Sequence, residues 1–201
     1  MGKNELKNRD NWQTESGKFA EQAELSFYDV FTYHFENTPY RLYKQPKHLQ
    51  NLYSLVDLPQ SVINKIYNPQ IDFSHVHWGV KPDFAIENTM THKIIFGEIK
   101  RQYGWVEGKE PSAGRGNAHE RLCKLFTPGL LKAYRKVSLI TDCDFLPFWV
   151  IFEGDITRDP KRVREITFWF DKYDKNYFFW RNSQSEELIY HFEMFIKPHL
   201  S

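Results

Sequence analysis

The chain has 201 residues, 17% of them aromatic, and its 27 Lys and Arg nearly balance its 26 Asp and Glu for a net charge of +1. That length can bury the core of one compact domain spanning 1–201; the aromatic content argues against disorder, and the overall charge does not announce a polyanionic partner. Cys123 and Cys143 lack CxxC or zinc-knuckle spacing, no apolar run approaches the roughly 18 residues of a membrane span, and the start MGKNELKNRDNWQ lacks a signal peptide's apolar stretch, so a cytoplasmic chain without a membrane partner is expected.

In chain order, residues 1–17 are polar and suit an arm. Phe19 to Phe35 reads as an amphipathic helix, with Ala20, Ala23, Phe27, Val30 and Phe31 at helical spacing. Shorter helical patterns follow at His48–Val56 and Pro59–Tyr67, then a loop over 68–80. His75 and His77 lack a third ligand at a telling spacing and read as structural. Strands are expected at Phe84–Glu87 and His92–Lys100, followed by a polar, Gly-rich loop from Tyr103 to Gly116. Asn117, with Glu120 three residues on, has the form of a capping box opening a helix that Pro128-Gly129 kinks or divides. Leu146–Phe152 reads as a buried strand, and helical patterns resume at Pro160–Phe170 and Glu186–Ile196; Asp142 and Asp144 around Cys143 read as a turn. Helices around a few strands, some wholly apolar, give an α/β class with a central mixed sheet.

The stretch PDFAIENTMTHKIIFGEIK, Pro82 to Lys100, carries charges in an otherwise core-like run. Strand alternation puts His92, Ile94, Phe96, Glu98 and Lys100 on one face. A hairpin turning over Met90-Thr91 sets Asp83 opposite Glu98, about 5 Å apart on that face. Two carboxylates held so close repel, and a divalent cation relieves the repulsion; few hard oxygen ligands with room for water and phosphate suit Mg²⁺ better than zinc. With Lys100 beside them, the three side chains have the composition of a hydrolytic phosphodiester site. The plain alternative is an edge-strand ion pair. A second Glu-x-Lys, Glu107-Gly108-Lys109, has no paired Asp and reads as solvated surface.

From Lys93 to Lys136 ten basic residues face four acidic ones, a local excess in a nearly neutral chain that suits a groove for a polyanion. Within it lies SAGRGNAHER, Ser112 to Arg121. Gly114 and Gly116 permit close backbone approach to a ligand, and Arg115 and Arg121 can contact phosphate or grip guanine bidentately.

Pro82-Asp83 with Glu98-Ile99-Lys100 resembles the PD-(D/E)xK signature of nucleases. Gly116-Asn117-Ala118-His119-Glu120-Arg121 resembles the Gly-Asn-Ala-x-Glu-Arg recognition segment of the EcoRI-like restriction endonucleases, and the strand closing on Phe152-Glu153-Gly154 is similar to one of theirs. The resemblance covers about residues 80–155, the catalytic and recognition core. It implies a restriction-endonuclease-like fold, Mg²⁺ held by Asp83, Glu98 and the Ile99 backbone carbonyl, and Lys100 as the third catalytic residue. It further places Gly116, Asn117, Ala118, Glu120 and Arg121 at the bases of a central AATT in double-stranded DNA. His119 replaces an apolar residue, and Gly114-Arg115 is inserted before the shared segment. Arg115 is therefore the candidate reader of an outer C·G pair, giving CAATTG cut to leave 5′-AATT overhangs with 5′-phosphates. A palindrome asks for a homodimer, with the segment at Asn117 near the two-fold axis. A cognate methyltransferase would protect host DNA without binding stably. Two other readings fit the same residues: a repair or junction-resolving nuclease of the superfamily, or a non-catalytic DNA-binding module.

Overall fold

Phe27, Phe31 and Phe35 recur every fourth residue, so one side of the first helix is a continuous aromatic stripe that can only be buried. In the computed structural model, which describes residues 26–66, 79–102, 120–181 and 185–201, that stripe closes one face of a five-stranded sheet. The helix, α1, is described over 26–34. It is followed by β1 (Tyr40–Lys44), α2 (Gln60–Ile63), β2 (Phe84–Asn88), β3 (Ile94–Gln102), α3 (Pro128–Ser138), β4 (Phe148–Gly154), α4 (Pro160–Phe170), β5 (Tyr177–Trp180), α5 (Ser185–His191) and α6 (Lys197–Leu200). The strands lie in the order β1-β2-β3-β4-β5. β1/β2 and β2/β3 pair antiparallel; β3/β4 and β4/β5 pair parallel. The sheet is mixed and flanked by helices, as the sequence suggests.

Alternation along the strands sorts the apolar residues between two cores. Phe84, Ile86, Ile95, Ile99, Trp149 and Ile151 pack against Phe27 and Phe31 of α1 and against Leu188, Phe192, Ile196 and Leu200 of the C-terminal helices. Ala85, Ile94, Phe96, Phe148, Val150 and Phe152 meet Leu130 and Tyr134 of α3 and Ile166 and Phe170 of α4. A sheet buried on both faces explains why β4 reads as an unbroken apolar run. Asn176, wholly buried, finishes the β4–β5 edge: its side-chain oxygen accepts from the Leu146 N–H at 3.0 Å, and its NH₂ donates to the Leu146 and Phe148 carbonyls at 2.9 Å.

Several expectations need correction. β3 starts at Ile94, and His92 sits in the hairpin turn with φ 58°, so it does not share the strand face. The pattern at His48–Val56 yields only a 3₁₀ turn, Leu52–Leu55, and that at Pro59–Tyr67 only the single turn of α2. The edge strands β1 and β5 have no counterpart among the expected elements. The segment after Asn117 is a 3₁₀ helix over Glu120–Phe126. Pro128 does divide this segment from the next helix: it opens α3 at N1, where its missing N–H costs nothing. The other late helix is capped by Asp159, whose carboxylate accepts from the N–H groups of Lys161 and Arg162 at 3.0 and 3.2 Å. Asp142 and Asp144 do form a turn, closed by the Asp144 N–H on Asp142 Oδ1 at 2.8 Å. Cys123 and Cys143 are free and exposed. No helix among the described residues is long and apolar enough to cross a membrane. The arm at 1–17, His75, His77, the loop 103–116 with Glu107 and Lys109, and the capping residue Asn117 lie outside the described residues.

Candidate active site

The β2–β3 hairpin has the expected register: Phe84 pairs with Gly97 and Ala85 with Phe96, so Asp83 lies one step out, opposite Glu98. Gly97 is required here. The Phe84 ring lies flat over it, and a Cβ would fall 1.9 Å from that ring, so only glycine lets the strands close beside the two carboxylates.

Asp83 stands just before β2 and is fixed from three sides. Its carbonyl accepts from the Tyr28 hydroxyl at 2.6 Å and from the Gln45 N–H at 2.9 Å. Its carboxylate accepts from the Ile99 N–H at 2.7 Å, at a point where β2 no longer runs beside β3. Lys100 and Glu98 meet at 2.5 Å, and the same ammonium lies 3.6 Å from Asp83 Oδ2. The side chains are 26% (Asp83), 8% (Glu98) and 18% (Lys100) exposed, so the cluster sits in a recess that is still open to solvent.

Electrostatics follow from that placement. Burial pushes the Glu98 carboxyl above the usual range and the nearby Asp83 adds to the rise, while Lys100 and, more weakly, Lys124 oppose it. Burial works against the Lys100 charge, but Glu98 and Asp83 outweigh it and hold the ammonium above the ordinary lysine value. Two negative charges and one positive leave a net deficit of positive charge, and the ammonium of Lys100 occupies the space where a cation would sit between the carboxylates. The donors are hard oxygens, which fits Mg²⁺. No group of three or more His, Cys, Asp or Glu side chains is placed to hold a metal among the described residues. Asp83 and Glu98 would thus supply two ligands, leaving the others to backbone carbonyl, water or phosphate, a division typical of magnesium.

Of the other expected site residues, Arg115, Gly116, Asn117 and Ala118 lie outside the described residues, and Glu120 and Arg121 begin the 3₁₀ helix that leads to α3. Three residues near the site carry no sequence signal. Tyr28 looks like a helix surface position, and its role emerges only because Asp83 folds onto it. Lys124 is one cation among ten in its stretch. Tyr134 belongs to the α3 core, yet its buried hydroxyl has no hydrogen-bond partner among the described residues; burial raises its pKa, and the field of Glu98 adds to the rise.

A mixed sheet bearing two carboxylates and a lysine where an antiparallel hairpin meets a parallel strand is the framework of a restriction-endonuclease-like fold. Comparison bears this out: the crystal structure of MunI restriction endonuclease in complex with cognate DNA superposes with a TM-score of 0.82 at 64% identity, covering 95% of this chain and 98% of that one. The type II restriction enzyme MunI of Mycoplasma sp. is 65% identical over 201 residues, the full length of both chains. The family model for type II restriction enzyme MunI matches residues 1–201. The chain belongs to the MunI family of type II restriction enzymes and is a site-specific deoxyribonuclease.

Proposed function

We propose that the chain acts as one restriction endonuclease domain, dimerises, and hydrolyses double-stranded DNA with Mg²⁺ at CAATTG, leaving 5′-AATT overhangs. The observation that carries the chemistry is the convergence of Asp83, Glu98 and Lys100 at one recess. Asp83, Glu98 and the Ile99 carbonyl would hold the ion, which would supply Lewis-acid polarisation of phosphoryl oxygen and water. Lys100, kept cationic by the carboxylates, orients the attacking water and stabilises charge gathering on the phosphate. The water oxygen bonds to phosphorus in line as the bond to O3′ breaks, giving 5′-phosphate and 3′-hydroxyl ends.

Recognition is assigned to Arg115, Gly116, Asn117, Ala118, Glu120 and Arg121, with Arg115 on the outer C·G pair. That a structural relative was crystallised with its cognate DNA supports DNA as the partner. A palindromic site calls for a homodimer, the setting is the cytoplasm, and a methyltransferase guards host copies of the site. Sequencing the termini of a plasmid digest tests reaction, site and cut position together; structure-dependent cuts in place of discrete bands would indicate a repair-type nuclease. In binding-shift assays Arg115→Ala should lose discrimination at the outer pair. Without metal, Asp83 and Glu98 repel the scissile phosphate, so Asp83→Ala should bind its site more tightly than wild type in EDTA near neutral pH.

A further inference from the structure

Beside the catalytic recess lies a cavity of about 540 Å³ lined by Lys44, Gln45, Pro46, Lys47, Gln50, Gly79, Val80 and Lys81. Among the described residues three lysines line it and no acidic residue does. Its walls come from two segments some thirty residues apart that are locked together: the Val80 N–H donates to the Leu49 carbonyl at 3.0 Å, and Gly79 approaches so closely that a Cβ would fall 1.9 Å from the same oxygen. Pro46 and Val80 are buried at its base, while the three lysines are exposed. Gln45, turned into the left-handed region at φ 47°, carries the chain past the cavity and donates its N–H to the Asp83 carbonyl. Lys44 lies over the ring of Tyr28, the other residue that holds that carbonyl. The cavity is therefore tied by two contacts to a residue of the candidate site.

We infer that this cavity binds a backbone phosphate of the DNA next to the one cleaved, with Lys47 and Lys81 as its cations. The inference rests on the DNA-cleaving reading above. Lys81 is two residues from Asp83, at most about 7 Å along the chain, so its side chain starts close to the candidate site. A phosphate held there would neighbour the one at Asp83 and Glu98. Like charges gathered on one rim repel one another, and a polyanion relieves that repulsion as it binds. The volume lies within the usual range for ligand sites and leaves room for the sugar attached to the phosphate.

The test is the salt dependence of binding to a random-sequence duplex and to one containing CAATTG, using the full-length protein in EDTA. Each phosphate contact contributes about 0.9 to the slope of log K against log salt. Lys47→Gln and Lys81→Gln should each lower the slope by about that amount and weaken both duplexes alike, while Lys47→Arg and Lys81→Arg should keep it. Slopes unchanged in the glutamine variants would overturn the proposal. So would arginine variants that also lose the slope, since the loss would then be structural. Loss of inorganic phosphate binding with unchanged DNA slopes would mark a site for a free anion, again against the proposal. A wild-type chain that neither binds nor cuts DNA would instead overturn the reading beneath it.

Discussion

Four consecutive residues of β3 carry two ion pairs that point to opposite faces of the sheet, and the pairs are built differently. Glu98 and Lys100 face the α3 side, where Asp83 adds a second carboxylate and the side chains keep 8–26% of their exposure. Arg101 faces the α1 side and meets Glu153 of β4 at 2.5 Å, one cation to one anion among the described residues, the side chains only 8% and 3% exposed. A balanced, sealed pair neutralises its own charge and has no capacity left for a ligand. An unbalanced pair in an open recess retains negative charge that only a further cation can satisfy. Neighbouring residues of similar composition thus separate into a structural pair and a candidate site by charge count and solvent access.

That contrast can be broken at several points. The largest effect is expected on the unbalanced side: Glu98→Ala or Lys100→Ala should lower Mg²⁺-dependent cleavage by about 10³-fold, the scale for removing a group that stabilises developing charge, and in Glu98→Ala, where Asp83 still faces Lys100, the unfolding midpoint should be nearly unmoved. Cleavage kinetics beside thermal melts would show it, and full activity in either variant would reduce the cluster to an ion pair. On the balanced side the result should invert. Glu153→Ala strips Arg101 of its carboxylate inside the protein and should cost about 3–5 kcal/mol in denaturant unfolding, while molecules that remain folded keep cutting.

A third buried ionisable group sharpens the comparison because no carboxylate among the described residues pairs with it. His191 stacks on Trp149 at 5.6 Å, and burial pushes its pKa down to about 4, with Asp174 opposing weakly. Since the folded value lies below the unfolded one, near 6.5, the unfolded chain takes up a proton first as pH falls. His191 should therefore contribute full stability above about pH 6.5 and lose about 3 kcal/mol between there and pH 4. His191→Phe should flatten that part of the stability profile; an unchanged slope would show that the ring is hydrated. The smallest effect belongs to the hairpin itself. Gly97→Ala forces the buried Phe84 ring to shift, for about 1–3 kcal/mol, and because Asp83 and Glu98 flank that pair, cleavage by the folded variant should fall as well.

How much of this is legible in the sequence depends on distance along the chain. The placement of Glu98 and Lys100 on one face follows from strand alternation, and the hairpin register follows from a short turn and the apolar pattern on either side of it. Both are local, so the core of the site is legible. The helices over Pro160–Phe170 and near the C-terminus are legible for the same reason. His92 misleads because alternation extrapolates through a turn that the backbone takes with positive φ. β1 and β5 escape because edge strands of five and four residues acquire their identity from the neighbour they pair with.

By itself, then, the sequence determined the chemistry on offer: two carboxylates and a lysine, spaced to converge, beside a basic stretch resembling a recognition segment. Tertiary structure decided what could be settled only between distant residues. It paired Arg101 with Glu153 across parallel strands, turned the Asp83 carboxylate onto the Ile99 N–H, brought the Tyr28 hydroxyl to the Asp83 backbone, and closed residues 44–50 on 79–81 to gather three lysines. None of these contacts has a periodic signature, because each is fixed by the packing of a whole sheet between two helical layers rather than by the geometry of one element.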